Sequence, residues 1–204
     1  MMEKYFSENK SQQINLFFST PILFIKNFEY SQKLLPIAKK YLSDDRFIGN
    51  TLSYRSTYTH THTNLEQQDE MQDFVNYVCG IGKNFLSSLG YDFNRKTSAM
   101  VMSSDMRKND HHMSHVHPNC ILSGVFYLQV PSNSAKINFH DPRDFRKFRN
   151  LNPQKGLEYN HLISPSIQIT PEAGLLLMWE SWLEHEVEKN NSDDGRITLV
   201  FNIE

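Results

Sequence analysis

From Thr97 to Ile203 the chain runs through eight short strand-like stretches: "TSAMVMSSDM", "HMSHVH", "ILSGVFYLQV", "AKINFH", "SIQIT", "GLLLMW", "EHEVE" and "RITLVFNI". Turn chemistry separates most of them, in "KND", "PN", "PSNS", "TPEAG" and "NNSDDG", where Asn, Asp, Gly and Pro favour bends over continued extension. Eight antiparallel-type strands following a helical N-terminal third constrain the fold strongly. The fold class expected is mainly β with N-terminal helices (α+β), its core a double-stranded β-helix, or jelly roll, buttressed by those helices.

The first third supports this. "INLFFSTPILFIKN" is apolar around Pro21 and reads as an edge strand broken or bulged there. In "SQKLLPIAKKYL", Leu34, Leu35, Ala38, Tyr41 and Leu42 fall at helical spacing, with Pro36 expected in the first turn, where its missing N–H costs least. "TLSYRSTYT" alternates like a strand. A helix is expected from about Leu65 to Leu89, with Met71, Phe74, Val75, Val78, Phe85, Leu86 and Leu89 on one face, a Thr63/Glu66 capping box and a stop at Gly90. No linker or repeat divides the 204 residues, so one domain is expected, with residues 1–96 supporting a core at 97–204. The stretch from Asp141 to Pro165 is the one long irregular connection, and its length suits a lid or binding loop.

A net charge of −2 gives no push toward nucleic acid or membrane surfaces. No run reaches the ~20 apolar residues of a spanning helix. Two cysteines, Cys79 and Cys120, cannot build a disulfide framework, and the polar N-terminus lacks a signal-peptide core. These features point to a cytoplasmic protein. There is no Gly-rich phosphate loop, and neither cysteine sits in a nucleophile motif.

Chemistry gathers in "DHHMSHVHPNC", where seven positions hold four of the nine histidines. In a strand, residues two apart share a face, so His115 and His117 can meet one ion while Val116 turns away. Such a pair alone is weak, because a metal needs at least a third ligand. His60 and His62 in "YTHTH" have the same spacing but no partner, and read as surface residues. His185 is different. It opens the seventh strand and His115/His117 end the second, two places that face each other at the mouth of a double-stranded β-helix. Eleven residues on, Arg196 opens the last strand, with Thr198 on the same face. An arginine directed into a barrel needs an anion or a carboxylate, and its fork suits a carboxylate, to which a threonine hydroxyl adds a hydrogen bond. An ordinary salt bridge to Asp or Glu is the plainer alternative. His111 and His112 have no such counterparts and read as solvent-facing or as support for the ligands.

Together, "HVHPNCILSGVFYLQVPSNSAKINFHDPR", "PEAGLLLMWESWLEHEV" and "RITLVFN" resemble a family of 2-oxoglutarate-Fe(II) oxygenases of bacteria and their phages, of a His-x-His-Pro type. The likeness runs from about Ser98 to Ile203. It implies that His115, His117 and His185 bind Fe(II), that Arg196 grips the distal carboxylate of 2-oxoglutarate with Thr198 assisting, and that Tyr127 reaches the cosubstrate. It further implies oxidation, most commonly hydroxylation, of a small-molecule or peptide substrate with release of succinate and CO2; a homodimer is compatible with it. One departure matters: the wider superfamily has a carboxylate where this chain has His117, so Asp141 or His112 remains an alternative third ligand. Trp179, Trp182 and Phe126 are candidates for the pocket wall, and Arg143, Arg146, Lys147 and Arg149 give the insert the charge of a lid over an anion. Two rivals stand beside this reading. A cupin-type metalloenzyme fits "PEAG" and His185 but expects a glutamate where Ile121 and Leu122 stand. A non-enzymatic jelly-roll module would make the histidines incidental.

Overall fold

The computed structural model describes residues 18–44, 49–50, 55–56, 65–143, 155–156 and 163–204. In chain order the elements are β1 (Ile22–Lys26), α1 (Phe28–Leu42), β2 (Gly49–Asn50), β3 (Arg55–Ser56), two 3-10 turns (Leu65–Gln67 and Asp69–Met71), α2 (Gln72–Ser88), β4 (Ala99–Met106), β5 (His112–His115), β6 (Leu122–Gln129), β7 (Ile137–His140), β8 (Ser166–Ile169), β9 (Leu175–Glu180), β10 (His185–Val187) and β11 (Arg196–Ile203). All eight expected stretches form strands. The turn signals "KND", "PN" and "PSNS" each hold an asparagine with positive φ: Asn109 at 75°, Asn119 at 70° and Asn133 at 61°. Asparagine tolerates this conformation because its short side chain can bond its own backbone.

The strands form two antiparallel sheets, ordered β1-β9-β6-β11-β4-β3-β2 and β5-β10-β7-β8. From β4 onward the chain alternates between them, staying in one sheet only from β7 to β8. This interleaving is that of a double-stranded β-helix. β1 is an edge strand and begins directly after Pro21, which has no N–H to give a ladder.

The two faces of the large sheet have different tasks. Pleating sends Phe126, Leu128, Leu176 and Met178 toward the helices, and Val125, Tyr127, Leu177 and Trp179 toward the small sheet. On the helix side, Phe74 of α2 stacks on Phe126 (centroids 6.1 Å, planes 10° apart) and meets Phe201 edge-on at 5.9 Å. Each such pair contributes about 0.5–1.5 kcal/mol beyond the area it buries. With the helices holding this face, the other is left to build a cavity between the sheets.

The helices depart from expectation in two places. Helix α1 starts earlier, because the side chain of Asn27 accepts a hydrogen bond from Tyr30 N at 3.1 Å and caps it. Pro36 therefore lies inside the helix rather than in its first turn. The loss of one backbone bond is borne because Leu34, Ala38, Tyr41 and Leu42 bury one face. Helix α2 starts later than Leu65, after the two 3-10 turns. Glu66 accepts a hydrogen bond from Val101 N of β4 at 2.8 Å, and the other half of the expected capping box, Thr63, lies outside the described residues. At the far end Gly90, at φ 92°, stops the helix as expected. Thr63, His60, His62, most of "TLSYRSTYT" and the insert residues Arg146, Lys147 and Arg149 lie outside the described residues.

Candidate metal centre

Strands β5 and β10 pair antiparallel with His115 opposite His185, which brings their rings to 4.3 Å between centroids. His117 lies two residues beyond this pair, just past the end of β5. It converges on the others through its backbone N–H, which donates to Ser181 O at 3.0 Å and ties the crossing from β5 to β6 against the turn into β10. One ring nitrogen from each of the three lies within 4.8 Å of the others. No other group of three His, Cys, Asp or Glu among the described residues meets this condition.

The backbone selects the atoms that face inward. His115 Nδ1 lies 2.7 Å from Met113 O, and His185 Nδ1 lies 2.9 Å from Leu183 O. A carbonyl only accepts, so both Nδ1 atoms carry the proton and both Nε2 atoms keep their lone pairs. His117 Nε2 then faces His185 Nε2 at 3.3 Å. Burial pushes the pKa of His185 down to about 3, with the neighbouring histidines adding to the effect and the Leu183 carbonyl opposing it. Burial, then His115, holds His117 at about 4. At neutral pH these are uncharged imidazoles, the form in which histidine binds a metal.

Asp141, the alternative third ligand, is engaged elsewhere: Arg143 Nε and Nη2 reach its two oxygens at 2.9 and 3.1 Å. His111 is exposed as expected, but His112 is half-buried rather than solvent-facing. The β5–β10 register slips by one residue between the His185/His115 and Val187/His112 pairs. That bulge turns His112 to the same side as His115, with ring centroids 4.0 Å apart. Burial, with the other histidines and Arg196, lowers His112 to about 4. Strict alternation along the sequence cannot reveal an inserted residue.

Behind the triad lies a cavity of about 90 Å³ whose lining includes all four of these histidines, Tyr127, Arg196 and Thr198. Arg196 is 3% exposed, and Thr198 and Tyr127 1% each. The guanidinium donates to Ala135 O at 2.9 Å and to Met106 Sδ, and lies 5.6 Å from the Tyr127 ring centroid. Burial raises the Tyr127 pKa, with Arg196 pulling the other way. Of the three aromatic candidates, only Trp179 walls the cavity, edge-on to His185 at 4.8 Å. Trp182 is half exposed and lines a separate surface groove, while Phe126 packs toward the helices.

The model of a family described as "Putative 2OG-Fe(II) oxygenase" matches residues 101–202, half of the chain. The chain belongs to this family. As a member it is an Fe(II)- and 2-oxoglutarate-dependent oxygenase, which decides against the cupin-type and non-enzymatic readings. No curated protein matches it. Among solved structures, the oxygenase is similar to a Pseudomonas putida prolyl-4-hydroxylase (10% identity, TM-score 0.62, covering 91% of this chain and 92% of that one). It is also similar to a 2OG-Fe(II) family oxidoreductase from Burkholderia pseudomallei (10%, 0.61, 89% and 83%). A third is HygX from Streptomyces hygroscopicus, solved with nickel and 2-oxoglutarate (12%, 0.55, 90% and 82%). At such identities the likeness shows the double-stranded β-helix fold alone. The oxygenase's donor set fits the family's metal: neutral imidazole nitrogens suit a divalent first-row ion, and two Nε2 lone pairs facing each other are better accommodated by a cation than by each other. Among the described residues, no helix is long and apolar enough to cross a membrane.

Proposed function

We propose that His115, His117 and His185 hold the Fe(II) of this oxygenase, and that Arg196, assisted by Thr198, receives the distal carboxylate of 2-oxoglutarate. Tyr127, beneath the guanidinium, borders the same carboxylate. The observation that carries this reading is the convergence of three ring nitrogens within 4.8 Å, two of them with Nδ1 protons committed to backbone carbonyls. When bound, iron and cosubstrate supply an oxidation in which 2-oxoglutarate, O2 and a C–H bond give succinate, CO2 and an alcohol. The chain's part is to bind, orient and exclude. Met113 O and Leu183 O fix the ring orientation of two ligands. Trp179 and Phe139 pack against His185 at 4.8 and 5.8 Å and keep bulk water from that side. The buried guanidinium offers a fork suited to a carboxylate. The substrate belongs to the same proposal as a small molecule or a peptide, in a cytoplasmic setting consistent with two free cysteines. So does the division into support (1–96) and core (97–204) of one domain.

The test is anaerobic addition of 2-oxoglutarate to Fe(II)-loaded protein, watching for the visible metal-to-ligand charge-transfer band, followed by O2 and a succinate assay. A band that Arg196→Ala removes is the expected result. Intact protein that binds iron but gives no band refutes the cosubstrate assignment, and a band that survives His117→Ala moves the third ligand elsewhere.

A further inference from the structure

In an unbroken β5, a residue three before His115 would point to the opposite face. The bulge overturns this and places the His112 ring in the inter-sheet cavity, at 4.0 Å from the His115 ring. His112 is nonetheless not one of the three residues whose donor atoms gather within 4.8 Å. It is level with Val187, one pair deeper along β10 than the His115/His185 pair, and close enough to Arg196 to feel its charge. The imidazole, the triad and the Arg196 guanidinium thus line one cavity. Met102, Val125 and Val200 make much of the remaining lining apolar. A dianion lying along that cavity needs a donor at each desolvated oxygen, and an imidazole offers an N–H in either tautomer.

We propose that His112 hydrogen-bonds a carboxylate of bound 2-oxoglutarate and so helps set cosubstrate affinity. This rests on the ligand and Arg196 assignments proposed above. The experiment compares wild type with His112→Phe, which keeps a ring without a donor, and His112→Gln, which restores a donor. Metal affinity is read first from Co(II) absorbance on the metal-free proteins. The 2-oxoglutarate Kd is then read anaerobically from the charge-transfer band of the Fe(II) forms. The expected result is a Kd weakened roughly tenfold to a hundredfold in His112→Phe, the range for a lost bond to a charged group, with partial recovery in His112→Gln and unchanged Co(II) affinity. Unchanged 2-oxoglutarate affinity in His112→Phe overturns the proposal. So does a loss of Co(II) binding, which would make His112 a ligand or a support for His115. If thermal melts show that His112→Phe misfolds, His112→Leu takes its place under the same criteria. Wild type that binds Co(II) but never gives the band marks failure of the cosubstrate assignment itself, and this proposal falls with it.

Discussion

Mild acid should destabilise the metal-free protein, and the histidine cluster sets the size of the effect. His185 is held neutral to about pH 3, against an ordinary value of 6.5. Below pH 6.5 the unfolded chain takes up a proton that the native state refuses. The unfolded state is then the one binding more protons, so stability falls as pH falls. This contribution is complete above about pH 6.5, drains away below it, and stops changing only near the folded value. At 1.36 kcal/mol per unit, the 1.5 units from 6.5 to pH 5 remove about 2 kcal/mol through His185 alone. His112 and His117, held near 4 but only half-buried, add less because solvent screens them. The total is roughly 2–5 kcal/mol, a large share of a typical domain's 5–15. The assay is urea unfolding in EDTA at pH 7.5, 6.5, 5.5 and 5.0, a window in which ordinary carboxylates stay mostly ionised. His185→Gln should flatten the slope by close to one proton. Equal stability at pH 7.5 and 5.0, or a slope indifferent to His185→Gln, would refute the claim that burial keeps this ring neutral.

Replacing Arg196 with Met should weaken 2-oxoglutarate on the order of a hundredfold, the equivalent of about 3 kcal/mol. Thermal stability should hold or rise, because a buried charge is exchanged for an apolar chain; titration and a melt together separate the two effects. Asp141→Asn should leave Co(II) affinity as it is, since that carboxylate already serves Arg143, and a tenfold loss by titration would return Asp141 to the ligand set. Gly124→Ala should cost about 1–3 kcal/mol or more in a denaturant melt, because a Cβ there would strike the Phe201 ring and Leu177 O.

What could be foreseen from sequence, and what could not, divides along physical lines. The eight strands were legible because each is short and its turns carry residues that bend. The His115–His185–Arg196 order was legible because strand count fixes which ends meet across a β-helix. His117 was expected beside His115 by strand alternation, whereas the structure brings it there through a loop bond to Ser181 O. The wall residues were read less well: Trp179, Trp182 and Phe126 are equally aromatic, and only the pleat and the crossing turn send one inward, one outward and one to the helices. Pro36 falls inside α1 rather than in its first turn because the Asn27 cap, set by a side chain outside the apolar pattern, lengthens the helix. The hydrogen bond of Glu66 with Val101 N, 35 residues away, lies beyond the reach of any local motif. His112 could be named from sequence as an alternative ligand, but its place in the cavity was hidden for a deeper reason: a bulge depends on the pairing of two strands, and single-strand periodicity holds no record of it.

The placement of the site has a mechanical consequence. β5 is an edge strand of the small sheet and pairs with β10 alone, yet it carries His115 and leads into His117, while Arg196 and Thr198 belong to the large sheet. Metal would rivet this edge strand of the sandwich to its neighbour, and a cosubstrate held at both ends would act as a crossbar between the two halves. Loading should then slow amide exchange in β5 before it affects the helix-backed strands, so that this edge becomes firm as the guests take their places.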